Sequence, residues 1–190
     1  MSYPVINALH IALDAKDPSS ARHCMNVSFM AKRFAEYLNL SSSDAQLLYQ
    51  AAYIHDIGKI GIPDAILNYP GPLTEAGFSI IHAHAEIGAY ILLNGDVSET
   101  IVSAVRHHHE HWNGTGYPAR LTGSQIPKLA RILAVLDVVD AMCGQRCYRQ
   151  PASLEQCKEE LRRCAGLSLD PDTVRSLLLC WDNVTQGVYC

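Results

Sequence analysis

Apolar residues recur along this chain at intervals of three and four, and no alternating run is long enough for a confident strand. Val5, Leu9, Ala12 and Leu13 predict a short first helix. Ser19 or Ser20 stands where it can cap a second, with Val27, Met30, Phe34 and Leu38 on one stripe. A third opens at Ser42 or Ser43 and runs through Leu48, Ala51 and Ala52 to about Asp56. Gly58 and Gly61 break that period, and Pro63 restarts a short turn. A fourth, long helix begins at Thr74 and carries Ile80, Ile87 and Ile91, and a fifth spans Glu99 to about His108. The stretch from His109 to Pro127, broken by glycines and prolines, reads as a long loop of the kind that often serves function. Helices resume from Pro127 to about Cys143, from Ser153 to Cys164, and after the cap pair Asp170-Pro171. The pattern predicts an all-α fold, a single-domain helical bundle, with residues 1–16 as an N-terminal helix packed on a domain of residues 17–190.

On that pattern, imidazoles and carboxylates fall where the core is expected. His23 precedes Val27, Met30 and Phe34 by four, seven and eleven residues, which puts it on the buried stripe. His55 follows Leu48 and Ala52 by seven and three. His84 lies between Ile80 and Ile91, whereas His82 is about 200° round the helix and is expected to face solvent. A single histidine so placed is usually a hydrogen-bonded core residue. Three of them with carboxylates point elsewhere. Asp56 adjoins His55, Asp137 interrupts the apolar run from Ile132 to Val139, and a lone buried carboxylate is costly without a cation or several donors. His108 and His109 stand together where a helix meets the long loop. Imidazoles and carboxylates without paired thiolates suit Fe, Mn, Zn or Ni, and a bridging Asp suits two ions. Such a set fills two six-coordinate sites only in part, which leaves positions for water and phosphate oxygens. Lys59, three residues after Asp56, can reach an anion beside them; in isolation it would be an ordinary solvated lysine.

Composition narrows the classes. A chain of 190 residues that is 48% hydrophobic and 18% charged can bury a sizeable core. Its net charge of -4 argues against duplex nucleic acid as a partner while leaving room for a small anion. The seven cysteines include no CxxC pair and read as reduced thiols; Cys143 and Cys147, four apart, read as buried apolar residues rather than a metal pair. The first fourteen residues lack the features of a signal peptide, and the apolar stretch Leu129 to Met142 is short and broken by charges. No membrane insertion and a cytoplasmic location are expected.

The motifs, taken in order, resemble a known family. His55-Asp56-Ile57-Gly58-Lys59 is similar to the HDxGK signature of the HD superfamily in its HD-GYP branch, and the run from His109-Glu110 to Gly116-Tyr117-Pro118 resembles that branch's HHE…GYP loop. His84-Ala85-Glu86-Ile87-Gly88, Ala130-Arg131-Ile132 through Asp137 to Asp140-Ala141, and Arg146-Cys147-Tyr148-Arg149 resemble its remaining motifs. The resemblance covers roughly Asp17 to Asp170. It implies an all-helical phosphodiesterase of cyclic di-GMP, with a metal centre in the core and linear pGpG or GMP as product. Carried over position by position, the metal ligands are His23, His55, Asp56, His84, His108, His109 and Asp137, with Asp56 bridging. Lys59 holds a phosphate oxygen, Arg146 and Arg149 lie near the nucleotide, and the Gly116-Tyr117-Pro118 turn shapes the pocket wall.

The resemblance also implies iron or manganese, and a bridging hydroxide as nucleophile. Three departures stand out. Ser19 occupies the place of a glutamate found in trinuclear members, so two ions are expected; Asn113 replaces the usual Asp, and Cys147 the usual Pro. The alternatives are a cyclic-dinucleotide receptor that signals through a partner, a phosphodiesterase of cyclic GMP-AMP, and an HD phosphohydrolase of a mononucleotide or (p)ppGpp-like substrate. A helical scaffold with coincidental histidines would have to leave Asp56 and Asp137 without a cation. A regulatory or diguanylate-cyclase protein partner fits the family; the oligomeric state is open.

Overall fold

The computed structural model describes residues 3–144 and 151–188, and among these every regular element is helical. α2 (Pro18–Tyr37) is the axis of the bundle: α1 (Tyr3–Lys16), α3 (Ser42–Ile54), α8 (Lys128–Cys143) and α11 (Trp181–Thr185) all pack against it. Its cap is Asp17, whose carboxylate accepts from the Ser19 N–H at 3.1 Å. The expected caps, Ser19 and Ser20, therefore lie inside the helix. The reason is Pro18, whose fixed φ suits the first helical position and puts the cap at Asp17, directly before it. α1 turns Ile6, His10 and Leu13 inward, while Val5 and Ala12 of the expected stripe face outward.

α3 is capped by Ser41 and ends at Ile54, so His55 and Asp56 leave the helix just before a 3-10 turn, Ile57–Gly61. The fourth predicted helix is two. α5 (Glu75–His82), capped by Thr74, meets α6 (His84–Asn94) at Ala83. The buried face of α6 is His84, Ala85, Gly88, Ala89 and Leu92 rather than the isoleucines, and Ile80 is 39% exposed. Backbone proximity explains this: a Cβ on Gly58 would lie 1.8 Å from the His84 carbonyl oxygen and 2.6 Å from the Gly88 nitrogen. Only small residues fit that contact, and the isoleucines move to its rim. The Glu75–Asn94 run is long and apolar enough to cross a membrane by length and composition. In this fold its second half delivers His84 to the interior.

After α4 (Asp64–Leu67) and α7 (Glu99–Arg106), the long loop is more ordered than its composition suggests. Asn113 and Thr122 form an antiparallel bridge, and Gly123–Gln125 is a 3-10 turn capped by Thr122 and Gln125. The backbone N–H groups of Trp112 and Asn113 donate to Ser168 and Leu167, tying the loop to the connection between α9 (Leu154–Cys164) and α10 (Pro171–Leu179). Asp170 caps α10 and pairs with Arg131 of α8 at 2.8 Å. Cys24, Cys143, Cys157, Cys164 and Cys180 are free thiols, and Cys147 lies outside the described residues.

Candidate metal centre

The ends of α3, α6 and α7 and the middle of α2 and α8 converge on one buried cluster. His23, His55, Asp56, His84 and His108 are at most 7% exposed. His109 and Asp137 are half-buried at its edge. All seven ligands carried over by resemblance thus meet in space. They form two groups: His23, His55 and Asp137, and His84, His108 and His109, each with its donor atoms within 4.8 Å of one another. Asp56 stands between them. Its Oδ2 is 3.8 Å from His55 Nε2 and 4.0 Å from His23 Nε2, while its Oδ1 is 3.6 Å from His84 Nε2. One oxygen therefore faces each group.

Local structure fixes which ring nitrogen points inward. His55, His84 and His108 each donate from Nδ1 to the carbonyl three residues earlier, at 2.8, 2.7 and 2.5 Å. A carbonyl can only accept, so the proton is on Nδ1 and Nε2 of each neutral ring is a bare lone pair. His84 Nε2 and His108 Nε2 nevertheless lie 3.3 Å apart with no proton to share. Two lone pairs at that distance repel unless a cation lies between them. The donor set and its orientation fit a divalent ion.

The electrostatics of the metal-free state point the same way. Burial depresses the imidazoles of His84 and His108, and lowers His109 to about 3, so this group is neutral and ready to ligate. Burial also pulls His23 down, but hydrogen bonds to Asp137 and Asp140 outweigh it and raise its pKa to about 9. His23 Nε2 is 2.8 Å from Asp137 and its Nδ1 2.6 Å from Asp140. Without an ion, then, a proton sits where the ion would. Burial opposes ionisation of Asp56 and Asp137, yet Lys59 and the surrounding imidazoles hold Asp56, and the His23 hydrogen bond and neighbouring imidazoles hold Asp137, below the ordinary range.

Lys59 is at the rim, 2.7 Å from Asp56 Oδ2 and 3.0 Å from the Ser20 hydroxyl, which donates in turn to Asp17 at 2.6 Å. Arg146 and Arg149 lie outside the described residues. Gly116 is buried, and a Cβ there would lie 2.2 Å from the His111 nitrogen, so the turn folds tightly back on the segment that carries His109. The Tyr117–Pro118 peptide is cis. Tyr117 stacks on His82 at 3.9 Å, and His82 is half-buried rather than facing solvent, because the loop folds over the end of α5. Asn113 Oδ1 accepts from the Thr115 N–H and hydroxyl at 3.1 and 2.7 Å. An acceptor oxygen is all this turn requires, and Asn supplies it as Asp would.

Two residues here carried no role in the sequence reading. Asp140 anchors His23 and also accepts from Asn26 at 2.9 Å. Its position three residues after Asp137, on the same face of one helix, was the available signal. Glu110 is 2% exposed and accepts from the N–H groups of Ala119 and Leu121 at 2.6 and 3.0 Å, which clamps the loop from beneath.

The family model described as HD domain matches residues 7–173. The chain belongs to the HD domain family. Its motifs and relatives place it in the HD-GYP branch. This HD domain is 35% identical over 186 residues to a cyclic di-GMP phosphodiesterase of Thermotoga maritima, covering 97% of this chain and 50% of that protein. It is 36% identical over 173 residues to 3'3'-cGAMP-specific phosphodiesterase 2 of Vibrio cholerae, covering 90% of this chain and 33% of the other. The chain thus spans half or less of these relatives. Among solved structures, a cyclic GMP-AMP specific phosphodiesterase of V. cholerae superposes with a TM-score of 0.71 at 19% identity, over 98% of this HD domain and 50% of that chain. The HD domain of the L. monocytogenes phosphodiesterase PgpH, in complex with cyclic-di-AMP, gives 0.69 at 19% identity, over 95% and 98%.

Proposed function

We propose that this HD domain is a binuclear phosphodiesterase that opens cyclic di-GMP to linear pGpG and acts in the cytoplasm, with residues 17–190 as the catalytic domain. The observation that carries the reading is Asp56, with one carboxylate oxygen toward each of two histidine-rich groups whose bare Nε2 atoms converge. His23, His55 and Asp137 would hold one ion, His84, His108 and His109 the other, and Asp56 would join them. Iron and manganese suit this nitrogen and oxygen set. Bound there, such ions would supply Lewis acidity at a phosphate and bring the pKa of a water toward neutrality.

The chain's own residues would do the rest. The Lys59 ammonium, already aimed at Asp56, would take a phosphate oxygen and neutralise charge as the ribose 3′ oxygen leaves in line with the attacking water. Arg146 and Arg149 would bind the nucleotide, and the Gly116-Tyr117-Pro118 turn would wall the pocket. No side-chain nucleophile is required.

Cyclic GMP-AMP is a second reading of the substrate, favoured by the relatives named as specific for 3'3'-cGAMP. The deciding experiment offers both cyclic dinucleotides to purified protein under anaerobic conditions, with Fe(II) or Mn(II), and measures products and ions per chain. Turnover with about two ions per chain, abolished in Asp56→Ala, is expected. Tight nucleotide binding without turnover in either metal would replace the enzyme by a receptor.

A further inference from the structure

Four of the five candidate histidine ligands are held from behind by a hydrogen bond at Nδ1: His23 by Asp140, and His55, His84 and His108 by backbone carbonyls. Among the described residues, His109 makes no such bond. The carbonyl three residues before it is that of Arg106, the last residue of α7, after which the chain turns into the long loop. What His109 has instead is ring contact. Tyr117 lies 4.9 Å from its centroid at 31°, His108 at 3.9 Å, and His84 at 5.0 Å on edge. Of these, only Tyr117 is not itself a candidate ligand.

Tyr117 is in turn fixed on several sides. His82 stacks on it at 3.9 Å and 16°, its backbone N–H donates to the His109 carbonyl at 3.2 Å, and Glu110 clamps the residues that follow. A ring supported this firmly can limit the rotation of the ring beside it.

We infer that Tyr117, backed by His82, is a positioning residue for His109 and does by ring packing what a hydrogen bond does for the other four histidines. The inference rests on the metal reading above and assigns the loop a part in holding an ion in addition to shaping the pocket. It concerns one ion of the two. The ring contacts of Tyr117 are with His109 and His82, whereas the His23, His55 and Asp137 group has its own support in Asp140, 2.6 Å from His23 Nδ1.

The test titrates metal-free protein with Mn(II) by calorimetry, following each ion, with circular dichroism to verify the fold. Wild type binds two ions. Tyr117→Ala weakens one of them by on the order of tenfold and leaves the other unchanged, the low end of what losing a ligand's support costs. Tyr117→Phe, which keeps the ring and loses only the hydroxyl, restores both. His82→Ala weakens the same ion to a smaller degree and carries the test if Tyr117→Ala fails to fold. Asp140→Asn weakens the other ion, so the double variant Tyr117→Ala/Asp140→Asn shows both losses. Folded Tyr117→Ala that binds both ions as wild type does would overturn the positioning role, as would equal weakening of both ions. Wild type that binds no divalent ion would overturn the metal reading itself.

Discussion

At the scale of single residues, His23 as a proposed ligand would couple metal to pH. In the metal-free state its imidazole, with a pKa raised to about 9, carries a proton on the nitrogen that faces Asp137. An ion held by His23 would have to displace that proton. Below pH 9 the apparent affinity of the ion on this group should therefore rise about tenfold for each unit of pH and then level off. The imidazoles of His84, His108 and His109 are depressed, already neutral near pH 7, and add no slope there. Because Asp140 helps hold the proton on His23, Asp140→Asn should move the plateau to lower pH and lower its height by about 10- to 100-fold. Mn(II) titrations between pH 6 and 9 measure both; a flat profile for wild type would contradict the assignment of His23 as a ligand. Asp137 was legible in the sequence because a carboxylate interrupts an apolar run. The role of Asp140 was not, because spacing puts it on the face of Asp137 but does not show which donor it meets across 117 residues of chain.

At the scale of elements, the 3.6-residue period located most helices to within a few residues and failed where backbones touch. The 3-10 turn and α6 meet at Gly58, and the contact selects His84, Ala85 and Gly88 over the larger isoleucines that the period favoured. Hydrophobicity ranks side chains by the area they can bury, whereas this contact is decided by how close two main chains come. Gly58→Ala places a methyl group 1.8 Å from a backbone oxygen that no rotamer change can move. It should cost at least about 3 kcal/mol, the upper end of the range for overpacked cores, measured by urea unfolding of the metal-free protein. It should also reduce metal affinity, since the displaced backbone carries His84 on one side and Asp56 on the other. A cost below about 1 kcal/mol would mean that the turn and the helix separate easily, and that the site is held by its ions rather than by the fold. The cap of α2 has a similar lesson: Ser19, Ser20 and Asp17 are all good caps by type, and Pro18 decides among them.

At the scale of the whole molecule, the candidate metal centre occupies a place that a hydrophobic core would otherwise fill, with α3, α6 and α7 ending at it and α2 and α8 running alongside it. Ions that bind the native state alone stabilise it by mass action, about 2.7 kcal/mol for each at a hundredfold excess over Kd. For a domain of this size, that corresponds to a rise in Tm of roughly 5–11 °C for each ion. The pH dependence has a definite sign. The raised pKa of His23 contributes stability to the metal-free protein that is complete below pH 6.5 and is lost as pH rises through about 9. The depressed histidines act below 6.5 and leave this window unchanged. Between pH 6.5 and 9 the metal-free fold therefore weakens while its affinity for the ion increases, because the same proton is held by one state and expelled by the other. Thermal unfolding with excess Mn(II) and with chelator, at pH 6.5 and 8.5, should show a gap in Tm that is wider at the higher pH. A gap that narrows would place the ion away from His23 and leave its proton to the Asp137–Asp140 pair alone.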